Sequence, residues 1–116
     1  MSSTLFILND APYGNERAHH ALRLAAALVG KEVQRVQVFL MADAVACAKA
    51  WQKVPAGYYN IQLMLGKIVR KGEVALCGTC MDARGMTETE MMEGAKRSTL
   101  AELAERTIQA DKVIVF

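Results

Sequence analysis

No part of this chain approaches the ~20 consecutive apolar residues that a membrane-spanning helix requires. Residues 1–8 are apolar but lack the basic lead-in and small-residue cleavage site of a secretory signal. The expectation is a protein with neither a membrane span nor a signal peptide. An excess of charge of one sign is also missing. Fourteen Lys and Arg stand against 12 Asp and Glu, and the net charge of +2 is too small to mark nucleic acid or an anionic membrane as the main partner. Three basic residues fall in the segment 67–71, where a solvated helix face accounts for them. The three cysteines are an odd number, which argues against a disulfide framework and for a reducing cytoplasm. Internal repeats, low-complexity stretches, linkers and cofactor-binding motifs are absent from the pattern.

What is present suits one domain over residues 1–116, with 53% hydrophobic and 22% charged residues, enough to build a core. Apolar runs at 4–8, 33–40, 74–76 and 113–116 read as buried strands, the last closing the chain. Between them, residues 16–29 place Ala18, Ala21, Leu22, Ala25, Leu28 and Val29 at helical spacing, with Gly30 set to end the helix. The alanine-rich segment 42–50 reads as helix, with Asp43 near its start favouring the helix dipole. Residues 51–59, with Pro55 and Gly57, read as a loop. Asn60 is positioned to cap a helix to about residue 71, and Ser98 or Thr99 to cap a last one through Leu100, Leu103, Ala104, Thr107 and Ile108. Strands alternating with helices imply parallel βαβ units with right-handed crossovers. The expected fold is α/β, a three-layer α/β/α sandwich whose mainly parallel sheet has four strands, or five if residues 92–95 pair as well.

The chemistry concentrates in Cys77-Gly78-Thr79-Cys80, directly after the apolar run 74–76. Cys77 falls where a strand ends and Cys80 in the turn beyond, at the sheet edge where open parallel α/β folds bind ligands. Several readings compete. Zinc needs about four ligands, and Cys47, His19 and His20 add no strong signature, so no metal is expected. A thioredoxin-type dithiol would place the pair early and at a helix start, with a proline for the cis bond. A sulfur-carrying thiol needs less: one cysteine at a cleft mouth, beside backbone amides and a positive charge. Cys77, followed by Gly78 and Thr79 and with Arg84 seven residues on, meets that pattern. Against it stands plain packing as a small buried hydrophobe, which is the reading taken for Cys47. Arg84 would neutralise a bound sulfur anion or else pair with Asp82 or Glu88. Asn9, Asp10 and Tyr13, in the loop after the first strand, either wall the same pocket or form an ordinary turn. Met81, Met86, Met91 and Met92 suggest copper(I) with the thiols, or more simply a flexible apolar flap or oligomer contact.

Cys77, six residues, then Arg84-Gly85 resembles the active-site segment of the DsrE/TusD (DsrE/DsrF-like) family of small sulfur-relay proteins, including its YchN-type members. The likeness takes in the opening strand with Pro12 and Tyr13, residues 39–45, and the closing stretch 100–116 with Ala110-Asp111-Lys112. It implies a five-stranded parallel sheet with helices on both faces and assembly into homotrimers or homohexamers. It also implies sulfur donor and acceptor proteins as partners, and a motif cysteine, here Cys77, that carries sulfane sulfur as a persulfide. Cys80 departs from the relay pattern. A neighbouring thiol can attack a Cys77 persulfide, release sulfide and leave a disulfide, or serve as a second sulfur station. The alternatives to a sulfurtransferase or carrier are a CxxC thiol–disulfide redox protein and a non-catalytic oligomeric binding module for a small ligand or partner protein.

Overall fold

Five strands pair into one sheet: Ser2–Leu8 (β1), Gln34–Leu40 (β2), Glu73–Cys77 (β3), Ala95–Ser98 (β4) and Lys112–Val115 (β5), in the order β4-β3-β2-β1-β5. Every pairing is parallel. These strands belong to a computed structural model that describes residues 2–32 and 34–116. Val33, where the second strand was expected to begin, lies outside the described residues. The last five residues of β2 are all buried, as a strand covered on both faces requires.

Right-handed crossovers explain how the helices are distributed. The chain steps from β1 to β4 in one direction, so Arg17–Val29 (α1), Ile61–Lys71 (α2) and Gly78–Ala83 (α3) lie on one face. The return from β4 to β5 puts Leu100–Gln109 (α4) on the other. Asn60 caps α2 by accepting from Leu63 N–H at 3.2 Å, and Thr99 caps α4 by accepting from Glu102 N–H at 3.1 Å. Phe6, Leu5, Leu22, Phe39, Leu65 and Ile68 fill the core.

Four expectations need correction. The fifth strand is Ala95–Ser98 and not residues 92–95. Met91 bridges to Lys49, and Met92 N–H donates to Ala48 O, so both methionines are held elsewhere before Gly94 (φ 94°) turns the chain into β4. The alanine-rich segment forms a 3-10 helix, Ala42–Ala48. That same pairing stops it, and the Gln52 amide takes Ala46 O and Lys49 O as acceptors. The closing strand is not buried. As the edge strand beside β1 it leaves Val113 40% and Val115 62% exposed, and α4 buries only Leu103. Met81 and Met91 are no flap, at 0% and 8% exposed in the core, while Met86 and Met92 are half-buried against it.

The register places the candidate site. Leu8 pairs with Leu40 and Leu40 with Leu76, while Cys77 pairs with Ser98. Asn9, Met41 and Cys77 therefore leave the sheet side by side, at the carboxyl ends of adjacent strands.

Candidate functional site

Cys77 ends β3 and is itself the N-cap of α3. An N-cap side chain faces backbone N–H groups that have no partner inside the helix. Here the acceptor is sulfur: Cys80 N–H donates to Cys77 Sγ at 3.4 Å, and the Thr79 hydroxyl lies 3.3 Å from it. Burial works against ionising Cys77. Hydrogen bonds from the Cys80 thiol, the Thr79 hydroxyl and the backbone N–H groups of both residues outweigh it and bring the thiol below its ordinary 9.0. Cys80 moves the other way. Burial, donation to Cys77 and the neighbouring Cys77 charge raise it, against an opposing pull from the Ala42 N–H and Arg84. The result is a divided pair whose thiols are shifted in opposite directions, so that Cys77 gives up its proton more readily than Cys80. Cys80 sits in the first turn of a helix, and not in the open turn expected. That much is shared with thioredoxin-type dithiols, where a helix start lowers a thiol pKa.

Ala42 has a left-handed backbone, φ 51°, a conformation that costs a non-glycine residue roughly 1–2 kcal/mol. It follows Met41 at the end of β2 and turns its N–H toward Cys80. Strain of this kind persists where the surroundings over-determine it.

Arg84 pairs with neither Asp82 nor Glu88. Its guanidinium donates to Asp43 Oδ1 at 2.9 and 3.1 Å and to the Cys80 carbonyl at 3.1 Å, so its charge acts on Cys80. Asp82 is taken instead by Arg97, in a two-pronged pair at 3.0 and 2.8 Å. Arg97 also packs on the backbone of Gly78, where a Cβ would lie 2.7 Å from its Nε. The pair with Asp82 raises Arg97 further, and the Cys77 charge adds to this. Arg97 escaped the sequence reading, which offered Asp82 to Arg84, because its contacts run from β4 to the helix that follows β3. Placing β4 at residues 95–98 in parallel register with the cysteine strand would have revealed it.

Asn9, Asp10 and Tyr13 have partners of their own. Asn9 holds the chain's last residue through Phe116 O at 3.1 Å, and Asp10 pairs with Arg17 at 3.3 Å. The Tyr13 hydroxyl accepts from Ile61 N–H at 3.1 Å, which satisfies the first turn of α2, while its ring stacks on Tyr59. Cys47 is fully buried in the 3-10 helix, with its thiol directed at the Asp10 carbonyl 3.7 Å away. Burial, with Asp10 nearby, pushes it up to about 12. Among the described residues no group of three His, Cys, Asp or Glu is placed to hold a metal ion, and no helix is long and apolar enough to cross a membrane.

A parallel five-stranded sheet with helices on both faces and a thiol at a strand end defines a recognisable class, and the sequence pattern of one family matches residues 2–116: the chain belongs to the DsrE/DsrF-like family. It is 42% identical to the protein YchN of Escherichia coli K12 over the whole of both chains. The crystal structure of the E. coli ychN protein superposes with a TM-score of 0.94, again covering all of both chains. A more distant relative is a sulfurtransferase TusD homolog of Vibrio vulnificus, 27% identical over 95% of this chain and 94% of its own. A protein of unknown function from Methanobacterium thermoautotrophicum, 13% identical with a TM-score of 0.77 and covering all of both chains, shares the fold.

Proposed function

We propose that this protein carries sulfane sulfur as a persulfide on Cys77. The observation that carries the reading is the sulfur acceptor at the end of β3. Cys77 Sγ receives hydrogen bonds from Thr79 and Cys80, and these lower its pKa from the ordinary 9.0. In the loading step the Cys77 thiolate attacks the outer sulfur of a donor persulfide. A new S–S bond forms at Cys77, the donor's S–S bond breaks, and the donor thiolate leaves with the electron pair and takes up a proton. The same exchange in reverse hands the sulfur to an acceptor thiol.

Gly78 lets Arg97 approach, and Thr79 stabilises the anion. Arg84 anchors Cys80, and Asn9, Asp10 and Tyr13 shape the neighbouring edge. Membership of a family that includes sulfurtransferase homologs supports donor and acceptor proteins as partners, and homotrimers or homohexamers are the assemblies proposed. Three free thiols suit a reducing compartment such as the cytoplasm.

A second reading rests on the hydrogen bond between the two thiols. The Cys80 thiolate would attack Cys77 Sγ of the persulfide, forming a Cys77–Cys80 disulfide and expelling hydrosulfide. Intact-mass measurement after treatment with a persulfide donor separates the readings. A carrier gains one sulfur atom in the wild type and in Cys80→Ser, and none in Cys77→Ser. A reductase loads stably only in Cys80→Ser, while the wild type loses two hydrogens and releases sulfide. No gain in any form would overturn both and leave the edge as a binding surface.

A further inference from the structure

A cavity of the molecule lies away from the thiols. It encloses about 380 Å³ beside β3 and β4, and its lining includes Glu73, Lys96, Arg97, Ser98, Glu102 and Arg106. Two of these residues hold buried polar atoms that make no hydrogen bond. Ser98 is 4% exposed and its Oγ has no partner, and Arg106 Nη1 is buried and has only an ion-pair contact. The nearest anion to Arg106 is Glu73, at 3.6 Å without a hydrogen bond. The Glu73 carboxylate is already engaged: Gln37 Nε2 donates to it at 2.7 Å, and Arg35 reaches it at 3.5 Å. Buried donors without acceptors are rare in folded proteins, and each calls for an occupant.

The chemistry of that occupant follows from the lining. A hydroxyl and a guanidinium both offer hydrogens, so the ligand must bring acceptor oxygens. Guanidinium groups favour oxyanions, which take two parallel N–H bonds. Lys96 adds a further positive charge at the rim, while the attachments of Glu73 to Arg35 and Gln37 reduce its repulsion. A cation would find only Glu102 and a carboxylate already committed, and an apolar ligand would leave both donors unpaired. We propose that the cavity binds a small tetrahedral oxyanion of the sulfate or phosphate class, held by Ser98 Oγ and the Arg106 guanidinium. This inference stands apart from the persulfide reading, since neither Cys77 nor Cys80 lines the cavity.

Calorimetric titration with sulfate, phosphate and thiosulfate, at an ionic strength fixed with chloride, tests it. At least one of the three gives a single saturable site per chain. Its affinity falls about tenfold or more in Ser98→Ala and in Arg106→Gln, the loss expected for one hydrogen bond to a charged group, and recovers in part in Arg106→Lys. Binding is unchanged in Cys77→Ser. A preference for thiosulfate identifies a sulfur species as the ligand, and a preference for phosphate identifies a phosphoryl source. The absence of saturable binding, or binding undiminished in Ser98→Ala, overturns the proposal. Because Ser98→Ala removes a single atom, it decides the matter even if the arginine variants fail to fold. Sulfur loading on Cys77 would be untouched by either result.

Discussion

Cys47 and Cys77 are both buried, 0% and 7% exposed, Cys47 in the 3-10 helix that follows β2 and Cys77 at the carboxyl end of β3. Their chemistry is nonetheless opposite. Burial above all, then the nearby Asp10 charge, pushes the Cys47 thiol up to about 12; the thiol points at the Asp10 carbonyl, and its own backbone N–H is the one opposing donor. Cys77 meets donors, two backbone N–H groups and the side chains of Thr79 and Cys80, and it moves down. Burial penalises the anion at both sites. What separates the two thiols is therefore the depth of burial at Cys47 together with the number of donors that offset it at Cys77. The N-cap position supplies donors because a helix start has unpaired N–H groups to offer.

That contrast can be broken or sharpened by experiment. The largest effect is in native-state alkylation with iodoacetamide at pH 8. With its pKa near 12, Cys47 has about one thiolate in ten thousand molecules at that pH. Cys77 should react faster by several orders of magnitude, as read by peptide mass mapping. Its rate–pH profile should turn over below 9.0, and the Cys80 profile above it. Comparable labelling of Cys47 would sink the comparison. A smaller effect is expected for Cys80→Ala, which removes one hydrogen bond to the Cys77 anion, about 1 kcal/mol. The Cys77 pKa should rise and its alkylation at pH 7 slow by a few-fold. An unchanged rate would show that Thr79 and the backbone donors suffice without it.

Smallest is the effect of Gly78→Ala, whose Cβ would displace the Arg97 guanidinium from its seat. Arg97 is a partly exposed, flexible side chain, so thermal stability should hold while Cys77 reactivity drops about two-fold, the scale of a weak, solvent-screened charge contact. A large loss of stability would mean that the approach of Arg97 to the backbone matters to the fold itself.

Much of this was legible before any coordinates. The order of strands and helices, the Asn60 and Thr99 caps and the emergence of Cys77 at a strand end all follow from local pattern, because hydrophobic period and capping chemistry act within a few residues. The exposed faces of α4 and β5 were not legible. Leu100 and Ile108 have the spacing of a buried stripe yet stand 72% and 77% exposed, since periodicity shows that a helix has an apolar side and not whether anything covers it. The Asp43–Arg84 and Asp82–Arg97 pairs were misassigned for a related reason. Charges 41 and 15 positions apart meet only through the fold.

The sequence by itself determined the class of fold and which cysteine ends a strand, since strand propensity, helix period and turn residues are local properties of the chain. Only the tertiary structure decided that Cys80 enters a helix, that Arg97 and not Arg84 packs beside the Cys77 turn, and that Ser98 and Arg106 line one cavity. Each of those depends on parallel pairing of β3 with β4 or on where α4 comes to rest. Non-local geometry of that kind is fixed by packing the whole core at once.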